Sequence, residues 1–259
     1  MEINRIQYAS DLHLEFIKNK EFIRDNPLIP NGDILILAGD IVPFSLMDKH
    51  QDFFDFLSDN FQMTYWIPGN HEYYYFDALL KTGTFYEKIR NNVILLNNYV
   101  VEYDNLKLVF STLWSHISEV SRLNIEKGLS DFHVVKYDGD RFSADNYNKL
   151  YFENVDFISN ALEIVDFKKV VVATHHVPTF KKYPKMYKKS LLNEAFAVEL
   201  SELIERFDPM CWIYGHSHYN TKDFKIGNTN VVTNQLGYVQ RGENERFAAD
   251  KVFIVKNLR

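Results

Sequence analysis

Short apolar runs rich in β-branched residues recur along the chain, and five of them stop abruptly on glycine, aspartate, asparagine or histidine. The five ends read Asp11-Leu12-His13, Gly39-Asp40, Gly69-Asn70-His71, His175-His176 and Gly215-His216-Ser217-His218. Apolar runs this short have the length of buried strands rather than of helices. Strands are expected at Ile3 to Ala9, Asp33 to Leu37, Met63 to Ile67, Val93 to Leu96, Tyr99 to Tyr103, Leu106 to Ser111, Val170 to Ala173, Trp212 to Tyr214, around Gly227-Asn228, and at Val252 to Val255. Asp104-Asn105 and Gly227-Asn228 have the composition of hairpin turns. Helical periodicity marks Asp48 to Phe61, Phe76 to Asn91, Ala144 to Val165 with Ser143 as N-cap, and Asn193 to Phe207, which stops before Asp208-Pro209. Strands alternating with helices, followed by hairpins, predict an α/β protein whose sheets mix parallel and antiparallel pairs. Residues 115–142 show no clear period, and Lys181 to Lys189 is a basic, tyrosine-bearing loop. Both are expected to border the working face.

The 259 residues contain no linker-like stretch or composition break, so one domain over 1–259 is the economical expectation. A formal charge of -6 argues against a protein whose main task is to coat nucleic acid or an anionic membrane. Cys211 is the single cysteine, which excludes an internal disulfide framework and any site built from several thiolates. The first residues, MEINRIQYASDLHLEF, lack the apolar stretch of a signal peptide, and no run of about 18 apolar residues occurs. A cytoplasmic location is expected.

Six of the nine histidines fall in the five strand ends. Ligands of open α/β sheets bind beyond the carboxyl ends of the strands, so segments far apart in sequence can converge there. In extended chain, residues i and i+2 point to one side, so Asp11 with His13 and His216 with His218 could each present a pair of ligands. Gly39, Gly69 and Gly215 each precede a candidate ligand, where a chain leaving a strand turns sharply or another backbone comes close. Any one piece reads as an ordinary turn. All five, in this order, form a specific pattern.

The pieces DLH, GDIV, GNHE, THH and GHSH, spread from residue 11 to residue 218, resemble the five motifs of the calcineurin-like metallophosphoesterases. That resemblance implies a four-layer α/β/β/α sandwich with two mixed β-sheets packed face to face. It further implies two divalent metal ions, one held by Asp11, His13 and His218, the other by Asn70, His175 and His216, with the Asp40 carboxylate bridging them. His71 would be the catalytic histidine that is not a ligand, and a metal-bridging hydroxide the nucleophile. His176 would contact substrate or pack. Carboxylate, imidazole and amide ligands suit manganese, iron, zinc, cobalt or nickel, and leave the metal's identity open. Such a centre carries net positive charge and attracts an anionic phosphate despite the acidity of the chain as a whole. The implied reaction is hydrolysis of a phosphate ester, with His71 donating a proton to the departing oxygen.

The run GDIVPFSL lacks the Asp-Arg-Gly that follows this motif in Ser/Thr protein phosphatases, and GNHEYYY continues into Tyr73 to Tyr75 rather than into basic residues. A dianionic monoester without arginine forks would lean on the metals alone, so a monoanionic diester of small nucleotide-like character is the expected substrate. Trp114, His116, Tyr73 and Tyr238 are candidates to stack on a base or frame a leaving group. With aromatics at 15% of the chain, most must nevertheless be core. His50 and His133 are expected at the surface or in packing, Cys211 in the core, and the lysines of Lys181 to Lys189 in a solvated loop. Alternatives sharing the same core are a phosphomonoesterase and a nucleotide pyrophosphatase. A catalytically inactive scaffold ranks lower, because all eight core positions are filled. A processive nuclease is weaker still without a coherent basic stripe.

Overall fold

A computed structural model of the chain describes residues 2–163 and 169–255. Its strands are β1 (Arg5–Ala9), β2 (Ile34–Ala38), β3 (Thr64–Ile67), β4 (Phe85–Arg90), β5 (Val93–Asn97), β6 (Tyr99–Tyr103), β7 (Leu106–Ser111), β8 (Lys136–Tyr137), β9 (Asp140–Arg141), β10 (Val170–Thr174), β11 (Cys211–Tyr214), β12 (Phe224–Ile226), β13 (Thr229–Thr233) and β14 (Val252–Ile254). The α-helices are α1 (Ile17–Asp25), α2 (Gln51–Asn60), α3 (Arg122–Gly128), α4 (Asp131–Val134), α5 (Ala144–Glu163) and α6 (Ser201–Phe207).

Twelve of the strands form two six-stranded sheets, ordered β14-β1-β2-β3-β5-β4 and β12-β13-β11-β10-β7-β6. Each sheet has four parallel strands at its centre, β1-β2-β3-β5 and β13-β11-β10-β7, and one antiparallel strand on either edge. Parallel strands are covered on both faces, which is why β2 reads as the unbroken apolar run ILILA and is buried throughout. Its alternate residues serve two cores. Ile34 and Ile36 face the other sheet, packing with Leu108 and Phe110 of β7 and Val171 of β10, whereas Leu35 and Leu37 face outward with Phe54 and Leu57 of α2. The outer face of the second sheet, through Val109, Val172 and Trp212, is covered by Ile158 of α5 and Ile204 of α6. The result is the four-layer α/β/β/α sandwich.

Two expected helices differ. Residues 76–91 form a short 3-10 turn at Ala78–Lys81 and then the edge strand β4, antiparallel to β5. Phe85 and Ile89 are four apart, a spacing that keeps two residues on one face in a strand as well as in a helix, and both pack on the α2 side. Gly83, at φ 67°, breaks the helical path before them. Residues 193–207 likewise hold only a 3-10 turn at Asn193–Ala195 and then α6. Between the two, Ala197 forms a parallel bridge with Val177, and Glu199 accepts hydrogen bonds from Thr179 Oγ1, Phe180 N and Ser201 N, so the chain between them runs extended. In the expected helix 144–165, Ser143 Oγ accepts from Asn146 N as an N-cap does. Its last residues, including Val165, lie outside the described residues. Helix α1 was not anticipated. Its buried Asn19 donates to Leu12 O and Gly237 O, tying the loops after β1 and β13 together.

Candidate metal centre

The parallel strands of both sheets end at one edge of the sandwich, and their following loops are stitched to one another by backbone bonds. Asp11 N donates to Gly39 O and His13 N to Asp40 O, Gly215 N donates to His175 O, and Gly237 N crosses between the sheets to Asp11 O. The side chains of Asp11, His13, Asp40, Asn70, His175 and His216 are thereby buried at a single spot, with His218 at its rim.

The i, i+2 pairs meet for a reason other than extended backbone. Asp11 (φ 56°), His13 (φ 46°), Asp40 (φ 55°), His216 (φ 73°) and His218 (φ 49°) all occupy the left-handed region, which non-glycine residues seldom enter. Such strain persists only where surrounding structure imposes it and concentrates at functional sites. Gly69 is required by close approach. A Cβ there would collide with Asp40 Oδ1 and stand 2.6 Å from His175 Nε2.

Among the described residues, candidate ligand atoms fall into three groups, each with its atoms within 4.8 Å of one another: Asp11, His13, Asp40 and His218; Asp40, His175 and His216; and His13, Glu15 and His71, the last closed by the hydrogen bonds of both Nδ1 atoms to Glu15 Oε1. Asp40 belongs to the first two. Its Oδ2 lies 3.6 Å from His13 Nε2 and 3.4 Å from His175 Nε2. In the first group His13 Nε2 and His218 Nε2 are 2.9 Å apart, and His218 Nε2 is 3.4 Å from Asp11 Oδ1. In the second, His175 Nε2 stands 3.0 Å from His216 Nδ1 and 3.2 Å from Asn70 Oδ1.

The test of whether a metal fits is what the other ring nitrogens do. His13 Nδ1 donates to Glu15 (3.1 Å), His218 Nδ1 to Glu243 (2.8 Å), His175 Nδ1 to Ala38 O (2.8 Å) and His216 Nε2 to Ala195 O (3.2 Å). Carboxylates and carbonyls only accept, so each imidazole in its neutral form carries its proton on the outside and aims a lone pair at the centre. Asn70 is oriented the same way, its amide nitrogen donating to Asp131 Oδ1 at 2.9 Å. These are the supporting contacts that metal-binding histidines use. The donor set fits borderline divalent cations.

Electrostatics agree. Burial pushes the His175 and His218 imidazoles down, but Asp40 beside the first and Asp11 and Glu243 beside the second outweigh it, raising them to about 9 and about 10. Asp40 is held well below the usual carboxylate range by His175, His71 and His13, against the effect of burial. Metal-free, the centre therefore holds protons where cations would sit.

His71 is placed differently from the ligands. Its backbone N donates to Asp40 Oδ1, its Nδ1 donates to Glu15 at 2.9 Å, and its Nε2 lies 3.4 Å from the Tyr238 hydroxyl. The Tyr74 ring stacks on it at 4.0 Å. Burial lowers its pKa, but Asp40 and Glu15 raise it above the ordinary value, which favours the imidazolium. Four acidic residues of this site were not anticipated: Glu15, Asp131, Glu243 and Glu72. Buried Glu72 accepts from Asp40 N, Ile41 N, Gly69 N and Trp66 Nε1, clamping the loops after β2 and β3. Burial and Asp40 push its carboxyl up to about 8, and the Ile41 and Gly69 donors, with nearby His175, oppose this. The alternation Asp11-x-His13-x-Glu15 was the one local signal available for Glu15.

A cavity of about 370 Å³ opens over Asp40, Asn70, His71, His216 and His218. Tyr238 lines it, as do Asp131, Tyr183, Tyr187 and Arg241. The other expected substrate contacts stand elsewhere. Trp114 and Tyr73 are buried against each other, Tyr73 donating to Lys81 O. His116 is exposed and edge-on to Tyr151 and Phe152. His176 is buried, 3.0 Å from the Tyr147 hydroxyl, with its ring tilted at 39° against His216 at a centroid distance of 4.1 Å. The β-strand exits that carry Trp114 and His176 do point to this edge, but the aromatic rings fill the space behind the centre.

Residues 5–220 match the family of calcineurin-like phosphoesterases. The chain is similar to L509, an uncharacterized protein of Acanthamoeba polyphaga mimivirus, with 35% identity over 266 residues, covering 92% of this chain and 93% of the relative. Its fold is similar to the crystal structure of phosphopantetheinyl hydrolase from Mycobacterium tuberculosis, with a TM-score of 0.70 at 16% identity, covering 96% of this chain and 95% of the other. With the motifs converged on one buried cluster of aspartates and histidines, the chain belongs to the calcineurin-like phosphoesterase family and is a metal-dependent hydrolase of phosphate esters.

Proposed function

We propose that the protein is a phosphodiesterase for small diesters of nucleotide-like size, working with two divalent ions. Asp11, His13 and His218 would hold one ion and Asn70, His175 and His216 the other, with Asp40 shared. The observation that carries the pair of ions is that Asp40 belongs both to the group with Asp11, His13 and His218 and to the group with His175 and His216. Bound there, divalent ions supply Lewis-acid polarisation of the phosphoryl group and acidify a nucleophilic water. His71, protonated and held through Nδ1 by Glu15, would give its Nε2 proton to the leaving oxygen. Tyr74 supports this ring by stacking and is anchored through its hydroxyl to Asp131 at 2.8 Å.

The preference for a diester is supported by the cavity wall. Among the described residues its single lysine or arginine is Arg241, whose guanidinium lies 4.9 Å over the Tyr238 ring. One exposed cation is a poor substitute for the arginine forks that offset a dianion, whereas the tyrosine-rich wall suits two ester groups. The discriminating experiment compares bis(p-nitrophenyl) phosphate with p-nitrophenyl phosphate on manganese-loaded protein. The diester should be favoured in kcat/KM by at least about tenfold, roughly 1.4 kcal/mol of transition-state discrimination. A preference for the monoester would overturn this part of the proposal and leave the metal centre standing.

A further inference from the structure

Glu15 Oε1 accepts two imidazole donors at once, His13 Nδ1 at 3.1 Å and His71 Nδ1 at 2.9 Å. Its other oxygen, Oε2, is buried without a hydrogen-bond partner. A carboxylate optimised for stability would spread its donors over both oxygens, since an unsatisfied buried acceptor costs about 1–3 kcal/mol. Here one atom is doubly used and the other idle. The two rings meet edge to face, their centroids 4.4 Å apart at 73°, so their Nδ1 atoms converge on Glu15 while their Nε2 atoms diverge. His13 Nε2 faces His218, and His71 Nε2 faces the Tyr238 hydroxyl.

We propose that Glu15 is a positioning residue that couples retention of the ion at His13 to the proton-donating readiness of His71. Its Oε1 is taken up by the two Nδ1 donors, on the side of each ring away from Nε2, so it acts through both rings. This rests on the proposed function, because it needs His13 to be a ligand and His71 the acid. A single oxygen fixes both tautomers and both ring planes, so the ion compartment and the acid cannot be perturbed independently by changes at this position. Glutamine can leave an amide oxygen in the place of Oε1 and keep both contacts without the charge, whereas alanine removes them.

The test has two readouts on full-length protein, one of which is not activity. Ion retention is measured by elemental analysis after dialysis against graded chelator. Leaving-group dependence is measured as the ratio of kcat/KM for a methyl aryl phosphodiester, with its aryl group departing, to that for a dialkyl phosphodiester. Glu15→Ala should weaken retention of one of the two ions by about 10–100-fold. It should also shift the leaving-group ratio in the same direction as His71→Ala, with the double variant shifting it no further. Glu15→Gln should retain the ions better than Glu15→Ala. Wild-type ion retention in Glu15→Ala, or equal losses on both esters in protein with full metal content, would overturn the proposal. Should Glu15→Ala not fold, Glu15→Leu, which fills the space but removes both acceptor contacts, is read in its place, and a Glu15→Leu protein unchanged in both readouts overturns the proposal. If wild-type protein retains no ions and His71→Ala shows no leaving-group dependence, the metal-centre reading itself fails and takes this coupling with it. If those controls behave and the Glu15 variants alone are silent, only the coupling fails.

Discussion

His71 differs from the neighbouring histidines in where its second nitrogen points. The four candidate ligand rings aim theirs at one another and at carboxylates, whereas His71 Nε2 faces Tyr238 at the cavity wall. A ring so placed can serve a substrate oxygen and adds nothing to metal affinity. His71→Ala should therefore leave ion content unchanged by elemental analysis and lower kcat on a dialkyl diester by about 10²–10⁴. On an ester with an acidic phenol the loss should be far smaller, and equal losses would count against the acid role. His71 was legible from the sequence because it sits inside a motif. The residues that orient the site were not, because their partners are remote: Glu15 reaches His71 across 56 positions, Asp131 reaches Asn70 across 61, and Glu243 reaches His218 across 25. Apart from the Asp11-x-His13-x-Glu15 alternation, no local pattern encodes such contacts.

Among the elements, the short turns after β1, β2, β3, β10 and β11 carry the chemistry, and the strands behind them supply only position. Close approach at these turns leaves no room for a side chain at Gly69, where a Cβ would enter the space of Asp40 Oδ1 and the His175 ring. Gly69→Ala should displace Asp40 or His175, with ion retention falling by at least about tenfold, a loss of roughly 1.4 kcal/mol. Retention at the wild-type level would show that the turn has slack. The central parallel strands were readable because burial on both faces makes them continuous apolar runs. Strand β4 was not, since Phe85 and Ile89 satisfy helical and extended periods alike and its other residues are those of a solvent-facing edge. The segment at 197–199 was misread for a different reason. Its helix-forming residues are held extended by the Val177 bridge and by bonds to the Glu199 side chain, a tertiary demand that overrides propensity. The 3-10 turn before it ends at Ala195, whose carbonyl orients His216.

For the whole molecule, two sheets of like design place several strand ends on one edge, and a chain of net charge -6 gathers there a cluster able to hold cations. Without metal the cluster holds protons, His175 and His218 being raised to about 9 and about 10. Both lie above the unfolded value of about 6.5, so their contribution to metal-free stability is complete below that pH and is lost as pH rises through 9 to 10. Loading with metal must expel these protons, which makes ion affinity rise with pH. Calorimetric titration with manganese at pH 7.5, repeated in buffers of different ionisation enthalpy, should show net proton release, and its absence would contradict the assigned protonation. The most direct test of the paired centre is an anomalous difference map from a crystal loaded with manganese. Two peaks are expected, one on either side of the Asp40 carboxylate and roughly 3.5–4 Å apart, the first against His13 and His218 and the second against His175 and His216. A single peak, or peaks away from Asp40, would contradict it.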